Sequence, residues 1–179
     1  MNLLHDIPHG TAAEMNVIVE IPKFSKNKYE IDKETGIIAL DRVMHTAQDY
    51  PFDYGFVPQT LFDDGDALDV CLLLTYPTFP GCVVKARAIG ILKTSDEKGG
   101  DNKIIAVPVS KSDPRFEEIK SLEDLPAHVR EEISIFPKEV KKLEKAKYDK
   151  VVISGFGSVE EAKAEIVRAM EAYSSKHGA

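Results

Sequence analysis

Asp63-Asp64-Gly65-Asp66-Ala67-Leu68-Asp69, running directly into Val70-Cys71-Leu72-Leu73-Leu74, is the stretch on which the reading of this chain turns. Four carboxylates fall within seven residues. The apolar run behind them predicts a buried strand, so the carboxylates stand at a strand entrance. In an extended chain residues two apart point the same way, so Asp64 and Asp66 share a side. Asp69 rejoins them if the chain turns at Gly65 or Ala67. Carboxylates this close repel one another unless a cation neutralises them. Oxygen ligands of this kind select hard ions, magnesium or calcium. The run alone also admits a second reading, a solvated turn of aspartates around a glycine. An EF-hand calcium loop does not fit. It needs D-x-[DN]-x-[DN]-G and a glutamate at its twelfth position, and the twelfth residue from Asp64 is Thr75.

The 179 residues favour one domain, 1–179, with a real core. A net charge of −7, from 23 basic and 30 acidic side chains, argues against nucleic acid as the main partner, since phosphate-backbone binding wants a basic surface. An acidic protein can still hold a small phosphate compound if metal ions supply positive charge. Two cysteines, Cys71 and Cys82, are read as reduced thiols of a cytoplasmic protein. Residues 1–6 show no basic segment followed by a long apolar one, so no secretory signal is expected. No apolar run approaches the length of a membrane span. The five histidines are scattered, which predicts neither a zinc site nor a catalytic histidine.

Outward from the aspartates, residues 15–21 alternate as a strand ending at Pro22, with Glu20 the odd acid in it. Glu20 alone reads equally as an edge-strand charge facing water. Residues 28–32 and 37–40 form a hairpin across the turn 33–36, with Arg42 just after it. Taken singly, Lys28, Glu30 and Arg42 read as surface charges in weak pairs. In Tyr50-Pro51-Phe52-Asp53-Tyr54-Gly55-Phe56-Val57-Pro58 the prolines and glycine block a helix. The hydroxyls of Tyr50 and Tyr54 need polar partners if buried. Residues 83–94 form a long strand in which Gly90 marks a bulge or a barrel bend. An acidic loop at 95–102 leads into a returning strand, 103–109. Residues 123–136 look helical, with Pro137 breaking or kinking the run. A last strand covers 151–153. The capping box Ser158-Val159-Glu160-Glu161 opens a helix whose stripe runs Val159, Ala162, Ile166, Ala169, Met170, Tyr173.

The ordered set Glu20-Ile21-Pro22, Lys28-Tyr29-Glu30-Ile31-Asp32, Asp41-Arg42, Tyr50-Pro51-x-x-Tyr54-Gly55 and Asp64-Gly65-Asp66-x-x-Asp69 closely resembles the prokaryotic-type family I soluble inorganic pyrophosphatases. The resemblance continues through Lys93-Thr94-Ser95-Asp96-Glu97, Asp101-Asn102-Lys103 and Lys141-Lys142-Leu143-Glu144 into the final helix. Several short hairpin strands followed by helices predict an α+β fold with a small closed β-barrel; the resemblance implies that this barrel is OB-like and five-stranded, flanked by helices, and it implies a homohexamer. It implies hydrolysis of pyrophosphate with several Mg2+ ions per site, bound by Asp64, Asp69, Asp96 and Asp101, with Asp66 as general base for the attacking water. Lys28, Tyr54 and Lys103 would contact the phosphoryl group under attack. Arg42 and Lys141 would hold the departing phosphate, while Glu20, Glu30 and Tyr50 give support and Glu97 stays a surface charge. Two positions depart from the family pattern. Ala67 stands where proline or glutamate is usual and removes no ligand. Val140 stands where a tyrosine usually precedes the phosphate-binding lysine, and one lost contact of this kind costs about 1 to 3 kcal/mol. Two other classes are weighed beside this reading: a single-stranded nucleic-acid module, against which the negative charge argues, and a phosphoesterase for organic phosphates or nucleotides, for which no base or sugar pocket is visible.

Overall fold

The computed structural model describes residues 1–97 and 99–178. Its strands are β1 (Met15–Ile21), β2 (Asn27–Ile31), β3 (Ile38–Val43), β4 (Asp53–Val57), β5 (Leu68–Leu72), β6 (Val83–Asp96), β7 (Gly99–Gly100), β8 (Lys103–Pro108) and β9 (Val152–Gly157). Its helices are α1 (Ala127–Glu139), α2 (Lys145–Tyr148) and α3 (Val159–His177). Five strands close on themselves: β1 pairs β4, β4 pairs β5, β5 pairs β8, β8 pairs β6, and β6 returns to β1. Closure removes free strand edges from the ring. The architecture is the expected α+β fold built on an OB-like five-stranded barrel. The ring is uneven, because β6 runs for 14 residues and also carries β7 and β9 beyond it. All ring pairings are antiparallel except β5 with β8, where Val70 lies beside Ile104 and Leu72 beside Ala106. That parallel pair sets the entrances of both strands side by side.

Alternation along the strands feeds two cores. Val17, Val57, Val70, Ala88 and Ile104, one from each ring strand, share the first core with Ala162, Ile166 and Ala169 of α3. Ile21, Cys71, Ile89 and Ile105 share the second with Ile133 and Phe136 of α1. Strand β6 keeps this up only because its register slips between Ala88 and Gly90. Ala86 and Ala88 face the first core, and so does Ile91; Ile89 and Leu92 face the second. One extra residue flips every later side chain to the other face, as a bulge must. At Gly90 a Cβ would lie 2.4 Å from the Leu122 side chain, so no larger residue fits the bulge.

Several boundaries differ from the sequence reading. Strand β3 extends to Val43, so Arg42 lies on the strand; its exposed residues mask the alternation there. The 95–102 segment is partly strand, because β6 reaches Asp96 and pairs with β7; position 98 lies outside the described residues. The 123–125 stretch is a 3-10 turn (Leu122–Asp124), and α1 begins only after Pro126, which cannot sit inside a helix without losing a hydrogen bond. Pro137 falls within the last turn of α1, where the helix stops two residues later and little remains to break. Strand β9 continues to Gly157 by pairing with β6. Both cysteines are free, and Cys71 is fully buried. Among the described residues no helix is long and apolar enough to cross a membrane.

Candidate active site

A cleft of about 560 Å³ opens where the barrel wall meets the β2–β3 hairpin. Its wall is built by strand register. Asp69 and Lys103 stand one residue ahead of the parallel partners Val70 and Ile104, at the two strand entrances. Tyr54 reaches them from β4, donating its hydroxyl to Asp69 Oδ2 at 2.5 Å. A Cβ on the next residue, Gly55, would fall 1.9 Å from the Ile18 carbonyl oxygen, so only glycine lets β4 lie this close to β1. Lys103, 5% exposed, donates to Asp69 at 2.6 Å and also to Asp101. One ammonium thus ties the aspartate loop to the β6–β8 hairpin. Burial works to lower the Lys103 pKa, but Asp69 and Asp101 together hold it above the ordinary lysine value. Burial likewise raises the Asp101 carboxyl, opposed by the charge of Lys103.

The aspartate loop is turned at its tip. Gly65 donates its N–H to the Phe62 carbonyl at 3.0 Å, Phe62 donates to the Asp66 carbonyl at 2.7 Å, and the Asp66 N–H is accepted by Asp64 Oδ1 at 3.0 Å. Asp64 is half-buried, and that burial raises its pKa. Asp66 Oδ1 is buried and makes no hydrogen bond, though the Lys33 ammonium lies against it in an ion pair. Across the cleft, Lys141 Nζ stands 3.9 Å from Asp96 Oδ2. Burial lowers the Lys141 pKa, partly opposed by Asp101.

The opposite lip is the hairpin. Lys28 pairs with Glu30 and, at 3.7 Å, with Asp41. Arg42 donates to Asp41 at 2.5 Å and to both oxygens of Glu144 at 3.2 and 3.3 Å, while its Nε is buried without a hydrogen-bond partner among the described residues. Glu20 joins lip to wall. It is 8% exposed, and its Oε1 accepts the Ile31 N–H at 2.8 Å. Burial, followed by the nearby charge of Asp69, pushes its pKa up to about 8. The water-facing alternative for Glu20 therefore fails. Tyr50 is buried with its ring edge-on to Phe136 at 4.8 Å, and burial raises its pKa.

Every residue singled out from the sequence lines this one cleft: Asp66; Asp64, Asp69, Asp96 and Asp101; Lys28, Arg42, Tyr54, Lys103 and Lys141; Glu20, Glu30 and Tyr50. Sequence reasoning missed Lys33, Asp41, Glu144 and Lys147. Lys33 sits in a hairpin turn indistinguishable from any solvated turn, and Glu144 meets Arg42 across 102 residues of chain. Asp41 had a signal, its place beside Arg42. Glu97, read as a surface charge, is exposed but also borders the cleft. Val140 is 4% exposed and packs into the second core, giving the cleft an apolar surface beside Lys141.

The polar side chains offer oxygen donors of the kind hard divalent ions prefer. Among the described residues no three His, Cys, Asp or Glu side chains form a ready cluster for an ion. Ammonium groups of Lys33, Lys103 and Lys141 instead stand against the carboxylates. The buried Asp66 Oδ1, met by the Lys33 ammonium, and the crowding of carboxylates fit a hard cation, with the lysines as its stand-ins.

The sequence profile of the inorganic pyrophosphatase family matches residues 17–174. The inorganic pyrophosphatase of Sulfolobus acidocaldarius is 50% identical over 157 residues, covering 88% of this chain and 90% of the relative. That of Leifsonia xyli is 53% identical over 154 residues, covering 86% and 91%. The crystal structure of the inorganic pyrophosphatase from Thermus thermophilus superposes with a TM-score of 0.90 at 41% identity, covering 97% of this chain and 99% of the other. With the barrel, the shared cleft and these likenesses in hand, the chain belongs to the inorganic pyrophosphatases, a family of hydrolases.

Proposed function

We propose that the chain, as one domain, hydrolyses pyrophosphate to two orthophosphates by direct attack of water, with Mg2+ as the divalent cofactor and Asp66 as general base. The observation that carries this is the parallel β5–β8 pair. It brings the Asp64–Asp69 loop and the Asp101 end of the second hairpin into one cleft, bridged by Lys103. Asp64, Asp69, Asp96 and Asp101 would hold the ions. When bound, Mg2+ neutralises phosphate charge and eases loss of a proton from water near neutral pH. Asp66 takes that proton, and to do so it must be released from Lys33. Lys28, Tyr54 and Lys103 orient the phosphoryl group under attack. Arg42, with its unbonded Nε, and Lys141 stabilise charge developing on the departing phosphate. Glu20, Glu30 and Tyr50 hold these groups in place.

Orthophosphate release from pyrophosphate, measured with and without Mg2+ and against a panel of organic phosphates and nucleotides, tests the reading. An inactive, metal-replete protein would sink it. Asp66→Asn should lower kcat by roughly 10²- to 10⁴-fold, the usual worth of a positioned base, with the thermal midpoint unchanged. Self-association into a hexamer belongs to the same proposal. Phe24, Tyr76 and Phe79 leave apolar surface exposed for such contacts, and sedimentation velocity decides the size. The two unpaired cysteines suit the reducing cytoplasm.

A further inference from the structure

Asp63 is the one carboxylate of the opening run that the proposed chemistry leaves unused. It faces away from the cleft, toward α3. Asp63 and Asp64 are the two central residues of the turn closed by the Gly65–Phe62 hydrogen bond. Asp64 lines the cleft; Asp63 receives Arg168 Nη1 at 2.7 Å and Nη2 at 3.4 Å. The same guanidinium lies over the Phe62 ring at 4.8 Å and donates to Glu165 at 2.5 Å. Just before Phe62, the Leu61 N–H is accepted by the Ala169 carbonyl at 2.9 Å. The other side of Asp63 and Phe62 meets the second acidic hairpin: a Cβ on Gly100 would fall 3.3 Å from Asp63 Oδ2. Three consecutive residues, 61–63, thus join α3, the aspartate loop and the tip of the hairpin that carries Asp96 and Asp101.

We propose that Arg168 is a positioning residue for the metal-binding loop. It draws the Asp63 carboxylate onto α3, so that only Asp64, Asp66 and Asp69 face the cleft, and it fixes the spacing between the two acidic loops. Without it, the turn at 62–65 is freed and the spacing between the two acidic loops is no longer fixed. A guanidinium suits this place better than an ammonium, because it meets a carboxylate with two N–H groups while stacking on a ring. Arg168 and Asp63 are both about half exposed, so the contact adds little to global stability. Its effect falls on loop placement.

This inference rests on the metal-dependent reading above, and its test separates the two. Substrate-free, metal-stripped protein is titrated calorimetrically with Mg2+, and Mg2+ dependence of pyrophosphate hydrolysis is measured beside it. Arg168→Ala should weaken ion binding roughly tenfold, the low end of what is lost when a group orienting a ligand is removed. Its kcat at saturating Mg2+ and its metal-free thermal midpoint should match the parent, while amide exchange at residues 62–66 quickens. Arg168→Lys should recover part of the affinity. If Arg168→Ala fails to fold, Asp63→Asn decides by the same criteria. Unchanged ion affinity overturns the inference, as does a fall in kcat that saturating Mg2+ does not restore. A parent that binds the ion but leaves pyrophosphate intact defeats the functional reading, while the comparison of affinities still decides the role of Arg168.

Discussion

The cleft is made by two regions of opposite character. The wall strands β4, β5 and β8 are buried almost throughout, and their polar residues are held by register inside a closed ring. The lip, β2 with β3, is a separate two-stranded sheet, half-exposed along its length. An isolated hairpin of this kind is marginal by itself. It is tied to the rest by the Glu20–Ile31 hydrogen bond, the Arg42–Glu144 pair and the N-terminal segment, where the Leu3 N–H is accepted by Gly36 at 3.1 Å. The wall holds the carboxylates whose spacing must not change. The lip holds Lys28 and Arg42, which in the proposed reaction would admit a substrate and let products leave. Rigidity and access are divided between them.

That division can be broken from the wall first. Lys103→Met leaves Asp69 and Asp101 facing one another without their shared cation. It should destabilise the protein by about 3 kcal/mol in urea titration, the lower range for a buried pair that loses one partner, and abolish most activity. Added Mg2+ should restore stability by binding the folded state alone, without restoring turnover. On the lip, Arg42→Ala should lower kcat/KM by about a hundredfold, as loss of a charge-stabilising donor does. Its pairs are partly buried, but Asp41 keeps Lys28 and Glu144 keeps Lys147, so the stability loss in the same titration should be smaller than that of Lys103→Met. If the two variants lose stability equally, wall and lip are not distinct.

The joint between them has a pH signature. Burial raises Glu20 to about 8, from the model-peptide value of 4.5 that applies to the unfolded chain. Between those values the folded protein binds more protons than the unfolded one, so stability falls as pH rises. Thermal midpoints of metal-stripped protein should therefore decline from pH 4.5 toward 8, and Glu20→Gln should flatten the decline. A Glu20→Gln profile that runs parallel to the parent's over this range would show that Glu20 is not buried at the joint. The smallest effect is expected from removing residues 1–4, which frees the hairpin turn at Gly36. Amide exchange across 28–43 should quicken and KM rise more than kcat falls.

Local signals carried much of this into the sequence. The alternation in β1 and the Ser158 capping box of α3 involve neighbours a few residues apart, and both are formed. Ring closure is different. The β1–β6 and parallel β5–β8 pairings join segments far apart in the chain, and alternation says nothing about who pairs with whom. The run of short hairpin strands followed by helices pointed to a small closed barrel, and only the ordered resemblance anticipated its OB-like five-stranded form. The site divides the same way: its carboxylates were visible because they crowd into short runs, whereas the meetings of Lys33 with Asp66 and of Glu144 with Arg42 exist only after folding. Val140 was visible as a departure, but its burial in the second core, beside Phe136, depends on how α1 docks.

The slip at Ala88–Gly90 carries a last consequence. Because β6 changes parity there, the even-numbered Ala86 and Ala88 face the first core before the slip and the odd-numbered Ile91 faces it after. Inserting or deleting a single residue anywhere between Val83 and Asp96 would invert one end, setting charged Lys93 where Leu92 belongs. Relatives should therefore vary freely in the composition of this segment's solvent positions, yet hold its length constant.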